Sequence, residues 1–286
     1  MHLLCIANEK VGLRLVLKCL TSYSETMRKI LFAGGGIGGL VGAILAEKTG
    51  IDCRILEQAP AYTDKGSGLS IMGNAILALR HFGMDEALFE LGQPLLDFQV
   101  RDMCDRLIFR SDFNKVSKEV GAPSICLHRS DLQKHLARIA KNIPIEYSSK
   151  LIDFTETPNG VASKVQTGNV VVDYDSQILI GSDGLRSRVR EVLDEKYSQL
   201  AKKLTPLRSS GFTSWLATIP FSEKVFKQGT VIHYWGEGVR VGLVDIGKSR
   251  LYWWITMNHS LVDSSFKNEK PNLEALKRMQ IGRAHV

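Results

Sequence analysis

The clearest pattern of apolar and polar positions lies in residues 29–57, KILFAGGGIGGLVGAILAEKTGIDCRILE. Ile30-Leu31-Phe32-Ala33 is an apolar run of strand length. From residue 37 to 48 the apolar positions recur at helical spacing, Gly50 closes that helix, and Cys53-Arg54-Ile55-Leu56 resumes a strand. A loop over 58–65 follows, and Asn74 is expected to cap a helix over 75–82, with a second short helix running through Leu91. Residues 95–102 and 106–113 predict a hairpin. Leu127-His128-Arg129 ends a further strand, and Ser130 is expected to cap a helix over 131–140. Short alternating runs between 145 and 181, turned at Pro158-Asn159-Gly160, predict a β-meander feeding a buried strand, Gln177-Ile178-Leu179-Ile180-Gly181. Alternation over 211–220, 230–235, 239–245 and 251–257 predicts a second sheet. The order implies an α/β chain, with a Rossmann-like βαβ domain and an inserted or adjacent, mainly antiparallel sheet domain.

Composition narrows the class. A chain of 286 residues that is 44% hydrophobic has room for one large or two ordinary domains with a sizeable core. The net charge of +7, from 37 basic and 30 acidic residues, is spread along the chain with no basic block interleaved with aromatics, so nucleic acid is not an expected partner. Cys5, Cys19, Cys53, Cys104 and Cys126 form no CxxC or other metal-ligand pair, which favours a reducing, cytoplasmic setting and no metal. Residues 1–27 are expected to be an extension outside the fold. Lys10, Arg14 and Lys18 break the apolar positions there, which supports neither a membrane span nor a secretory signal, and Met27 stands where nucleotide-binding chains of this kind begin.

The glycines of the first turn carry the chemistry. Gly34, Gly36 and Gly39 have GxGxxG spacing between a strand and a helix. Gly34 permits the tight turn, Gly36 lets a pyrophosphate approach the backbone, Gly39 lets helix and sheet pack closely, and Gly38 adds clearance. The pyrophosphate would sit at the helix N-terminus, where free N–H groups and the helix dipole favour negative charge. Glu57, 23 residues beyond Gly34, ends the second strand, where a carboxylate accepts hydrogen bonds from the hydroxyls of an adenosine ribose. Asp183, between Ser182 and Gly184, stands at the mouth of another strand, placed to meet a bound cofactor.

Three landmarks in order, AGGGIGGL…ILEQ, LHRSDL and ILIGSDGLRSRVR, with a weaker fourth, GLSIMGNA, resemble the class A flavoprotein monooxygenases. That group contains para-hydroxybenzoate, salicylate and urate hydroxylases and zeaxanthin epoxidase, and the resemblance runs over residues 28–257. It implies an FAD-binding domain over 28–200, with a small excursion near 92–120, and a substrate-domain sheet over 201–280. It implies that Gly34, Gly36, Gly38 and Gly39 hold the FAD pyrophosphate and that Glu57, with Gln58 beside it, meets the ribose. Ser70, Arg129, Asp183 and Gly184 are implied on the flavin side, and Arg240 and Tyr252 at the substrate site, although a structural role for these last two stays open. His128 and His233 read as ordinary strand residues, and Trp253-Trp254 as packing. The activity implied is transfer of one oxygen atom from O2 to a small aromatic or conjugated substrate, with NADPH or NADH as transient reductant. An FAD-dependent reductase on the same fold, or a non-catalytic FAD-binding fragment, remains an alternative.

The end of the chain departs from that pattern. Nothing after the second sheet matches the family's further Gly-Asp segment, so the sheet domain is expected to be incomplete. Ile281-Gly282-Arg283-Ala284-His285-Val286 reads as a non-native tail, since one frame of a common sequencing-library adapter encodes it.

Overall fold

The computed structural model describes residues 29–63, 66–197, 209–222, 224 and 226–258. The expected extension over 1–27 and the tail over 281–286 lie outside the described residues. Strand β1 (Lys29–Ala33), helix α1 (Ile37–Lys48) and strand β2 (Asp52–Leu56) form the expected βαβ unit. β1 pairs in parallel with β2 and, on its other side, with β12 (Ile178–Gly181), and β8 (Ile145–Glu146) completes the order β12-β1-β2-β8. β12 was expected to be buried, yet Ile178 is 39% exposed, because β12 is an edge strand of this sheet. Leu40, Ala43 and Ile44 of α1 are fully buried against β1, β2 and helix α5 (Arg129–Ile139), which makes this the larger core.

Two helix caps differ from expectation. Helix α2 spans Gly73–His81, so Asn74 falls inside its first turn, and the Ser124 hydroxyl instead accepts from the Gly73 N–H at 3.1 Å. Helix α5 starts at Arg129, one residue before Ser130, whose hydroxyl is taken by His128 Nδ1 at 2.7 Å. Both changes follow from a strand arriving alongside, β7 (Ile125–His128), which pairs with β3 (Gly68–Ile71) and β4 (Gly92–Pro94). Short α3 (Leu88–Leu91) precedes β4.

The hairpin β5 (Asp97–Asp102) and β6 (Leu107–Asp112), expected as a small excursion of the first domain, joins the second sheet, because β5 pairs in parallel with β14 (Thr230–Gly236). With β13 (Phe212–Pro220), β15 (Val239–Asp245) and β16 (Arg250–Asn258), this gives a six-stranded sheet of order β13-β16-β15-β14-β5-β6. Helix α4 (Phe113–Val120) leaves the hairpin. The meander β9 (Ser149–Thr157), β10 (Gly160–Thr167) and β11 (Val170–Ser176) is antiparallel as expected, and α6 (Arg188–Tyr197) packs on β9.

Candidate functional site

Different forces hold the four glycines of the first turn. Gly34 has φ +111°, and a Cβ there would stand 2.4 Å from the Ser182 carbonyl oxygen; a Cβ on Gly39 would stand 1.9 Å from the Gly34 carbonyl oxygen. Those two are glycine because β1, α1 and residue 182 touch at that point. Gly36 has an ordinary extended backbone, φ −68° and ψ −178°, and a Cβ on Gly36 or Gly38 would meet no described atom within 4 Å. Nothing in the described chain requires glycine at 36 or 38. Their bare Cα atoms border open space at the N-terminus of α1, where the first-turn N–H groups have no helical acceptor. That space has room for an anion to come close to the backbone.

Glu57 lies immediately beyond β2. One carboxylate oxygen accepts from the Gly35 N–H at 3.0 Å and the other from the Ala59 N–H at 2.8 Å, which fixes the group beside the turn and leaves a second lone pair on each oxygen. Tyr62, which sequence reasoning passed over, donates to the Gly35 carbonyl at 2.9 Å and meets the Tyr147 ring edge-on at 5.4 Å. Burial, with Tyr147 and Glu57 nearby, pushes its phenol far above the ordinary value, so it stays a donor at neutral pH. Gln58 is exposed next to Glu57.

Asp183 follows β12. Its Oδ2 accepts from the Arg188 and Val189 N–H groups at 2.7 and 3.1 Å and so caps α6, while its Oδ1 is buried and has no partner among the described residues. A buried carboxylate oxygen without a donor is costly, and a ligand donor there would relieve it. Gly184, at φ +79°, makes the left-handed turn that keeps this mouth open. Replacing Asp183 with alanine is expected to remove the cap, at about 1 kcal/mol, together with cofactor binding. Asparagine keeps an oxygen for the cap, and a melt followed by a cofactor titration separates the two losses.

Helix α5 ties this turn to the second sheet. Gln133 donates to the Gly35 carbonyl at 3.1 Å, and the Arg129 N–H donates to the Ser67 carbonyl at 2.9 Å. Asp131 accepts from Arg250 of β16 at 2.7 Å and from Lys248 at 3.4 Å. The Arg129 guanidinium makes no hydrogen bond or ion pair with a described residue and is available to a ligand. Burial alone would raise the Asp131 carboxyl, but Arg250 and Lys248 outweigh it and hold it below the usual carboxylate range. Its contribution to stability is therefore full above roughly pH 4 and is lost as pH falls through the lower folded value. Asp131→Asn should cost about 1–3 kcal/mol at neutral pH, and the difference should shrink in melts below roughly pH 4.

Between β3 and the six-stranded sheet is a mainly apolar cavity of ≈ 530 Å³. Ser70 and Tyr252, both expected site residues, line it. The Tyr252 ring lies so close over Gly68 that a Cβ there would be 2.5 Å from it. Burial raises the Tyr252 phenol above its ordinary value, against an opposing influence of Ser67, so it is protonated at neutral pH. Arg240 does not line the cavity; it is exposed, with its guanidinium over the Trp235 ring at 5.4 Å from the centroid. Its register partners are Trp235 and Thr256, and Ser214, which does line the cavity, pairs with Thr256, so Arg240 stands at the outer end of the same face.

The cavity floor was not expected from sequence. Phe113, Phe98, His233, Trp254 and Tyr252 form a continuous row, with successive centroids 6.2, 5.0, 5.0 and 5.3 Å apart. His233 and Trp254 are floor residues, beyond the ordinary strand and packing roles read for them. Such a floor suits a planar, electron-rich ring.

Residues 27–278 match the family model described as FAD binding domain. The chain belongs to this FAD-binding family. It is 37% identical over 232 residues to the aurachin C monooxygenase/isomerase of Stigmatella aurantiaca, covering 81% of this chain and 57% of that protein. To the FAD-dependent urate hydroxylase of Klebsiella pneumoniae it is 25% identical over 235 residues, covering 79% of this chain and 56% of that protein. The structure of Klebsiella pneumoniae HpxO complexed with FAD and uric acid superposes with a TM-score of 0.76 at 22% identity, covering 90% of this chain and 62% of the other. The chain thus spans a little over half the length of these curated relatives. The α/β FAD-binding fold expected from the sequence is the fold observed. FAD fits the residues present: the open cradle at Gly36 and Gly38 admits a pyrophosphate, and the orphaned Asp183 oxygen awaits a donor.

Proposed function

We propose that the whole protein is an FAD-dependent, NAD(P)H-consuming monooxygenase that inserts one atom of O2 into a small aromatic or conjugated molecule. The observation that carries this reading is the aromatic cavity beside β3 together with α5, which joins the glycine turn through Gln133 to the second sheet through Asp131 and Arg250. It is supported by relatives whose names specify a monooxygenase acting on aurachin C and a hydroxylase acting on urate.

Bound FAD, reduced by NAD(P)H, supplies the electrons and the site of O2 activation. The chain does the rest. The backbone at Gly34, Gly36, Gly38 and Gly39 takes the pyrophosphate, Glu57 with Gln58 beside it takes the ribose, and Asp183, Gly184, Arg129 and Ser70 face the flavin side. The aromatic floor stacks the substrate and excludes water, and Tyr252, held protonated, offers it a hydrogen bond. Arg240, at the outer end, draws in anionic substrates. One oxygen atom enters the substrate and the other leaves as water, with two electrons from NAD(P)H and a proton. Residues 28–200 outside the excursion near 92–120 carry the cofactor, and 201–280, joined by the β5–β6 hairpin of that excursion, carry the substrate sheet. Among the described residues no helix is long and apolar enough to cross a membrane. Free Cys53, Cys104 and Cys126 support a reducing, cytoplasmic location.

The test is purification of a yellow protein and incubation with NAD(P)H, labelled O2 and a panel of hydroxylated aromatics. One labelled oxygen per product molecule supports the reading. NAD(P)H consumption that saturates an alkene with no O2 uptake would establish the reductase instead.

A further inference from the structure

We propose that His233 is the specificity residue of the cavity, accepting a hydrogen bond from a ring hydroxyl and so selecting hydroxylated aromatic ligands. The inference rests on the monooxygenase reading for its biological meaning, but its geometry stands apart from it. Of the hydroxyl and imidazole side chains that line the cavity, both serines are engaged: Ser70 Oγ contacts Cys126 Sγ at 3.2 Å and Ser214 Oγ bonds to Thr256 Oγ1 at 2.9 Å, while Tyr252, a protonated phenol, is foremost a donor. His233 makes ring contacts alone, 5.0 Å to Phe98 and 5.0 Å to Trp254, and no hydrogen bond to a described residue. It stands mid-way along the aromatic row, where a ring lying on Trp254 would bring its substituents within reach.

The surroundings fix its protonation state. β5 presents Phe98, β16 presents Trp254 with Tyr252 beyond it, and β15 presents Gly242 with Arg240 two residues along. Arg240 is the charged group among these and Tyr252 the other titratable one. Burial first, then Arg240, lowers the imidazole below its ordinary value, so at neutral pH it is uncharged. A neutral imidazole keeps one nitrogen lone pair as an acceptor, whereas imidazolium has none. Binding a carboxylate at His233 would require the charged form that its neighbours disfavour. A hydroxyl hydrogen matches the form they favour, and drawing that hydrogen toward the imidazole leaves more electron density on the ring oxygen and on the carbons that an electrophilic oxygen attacks.

The test is equilibrium dialysis of the 286-residue chain against 2-naphthol and naphthalene, which share a ring system and differ by the hydroxyl. The wild type should prefer 2-naphthol about 10-fold. His233→Phe, which keeps an aromatic ring in the floor, should erase that preference; His233→Gln, which keeps an acceptor, should restore most of it. The wild-type preference should fade as pH drops through the lowered imidazole value, and the glutamine variant should show no such fade. A phenylalanine variant that retains the preference overturns the proposal. So does a loss of naphthalene binding in both variants, which would make His233 a packing residue. Because dialysis reads binding without turnover, failure here leaves the monooxygenase reading standing, and absence of oxygen incorporation leaves this result intact.

Discussion

Gly36→Val should yield a folded protein that does not hold FAD. Residue 36 has φ −68° and ψ −178°, a backbone that valine adopts freely, and a Cβ there meets no described atom within 4 Å. The apo fold should therefore melt within a few degrees of the wild type. The same open space is where the pyrophosphate must lie against the backbone, so branched carbons take its place. Loss of at least about 100-fold in affinity, or about 3 kcal/mol, is expected, and the purified protein should be colourless. Gly39→Ala is the contrast: its Cβ would stand 1.9 Å from the Gly34 carbonyl oxygen, a backbone atom that cannot step aside. That variant should fail to fold, with or without FAD. Stoichiometric flavin in the valine variant would remove the phosphate cradle from the site.

That contrast also shows how far the sequence could be read. GxGxxG gives three glycines the same weight, and their spacing announces the βαβ unit. Only coordinates show that two are held by the chain's own backbone and that 36 and 38 are open. Helix α1 was legible to the residue because a period, a fingerprint and a closing Gly50 agree on it. Helix α4 was missed although its signals are local. Asp112 accepts from the Asn114 and Lys115 N–H groups at 2.9 and 3.4 Å, and Gly121 ends the helix at φ +83°. The hairpin pattern, carried on to residue 113, absorbed its first turn.

Other features had no local signal. Ser124 capping α2 and Gln133 reaching Gly35 across 98 positions are tertiary contacts between residues that any surface could carry. His233 read as an ordinary strand residue because β14 is apolar on both faces. Val231 and His233 look into the aromatic cavity, while Ile232 and Tyr234 line a second hollow of ≈ 500 Å³ on the other side. Period-two alternation marks a face only when one face is wet. For Arg240 and Tyr252 the resemblance indicated positions but not distances, and the structure puts only Tyr252 in the cavity wall.

Gly242→Ala is expected to do the reverse of the valine change, closing the cavity while leaving the cofactor in place. The Trp254 indole lies flat over the Gly242 Cα, so that an added Cβ would be 2.0 Å from Cζ2 and 2.2 Å from Cη2. β15 and β16 are paired along their whole length, with Gly242 opposite Trp254, so the backbone is held on both sides and the ring is the part that gives. It is itself stacked on Tyr252 at 5.3 Å and wedged edge-on against His233 at 5.0 Å, which leaves the cavity as the direction of escape. Forcing one methyl into such a site costs about 1–3 kcal/mol, seen as a lower melting temperature. The displaced indole fills the space over the floor, so aromatic ligands should lose at least about 10-fold in affinity, or about 1.4 kcal/mol. The three atoms nearest the added Cβ all belong to Trp254, not to a residue proposed to hold FAD, and an FAD titration should match the wild type. If 2-naphthol binds the alanine variant as it binds the parent, the ligand is not lying on Trp254, and the aromatic row is packing rather than a floor.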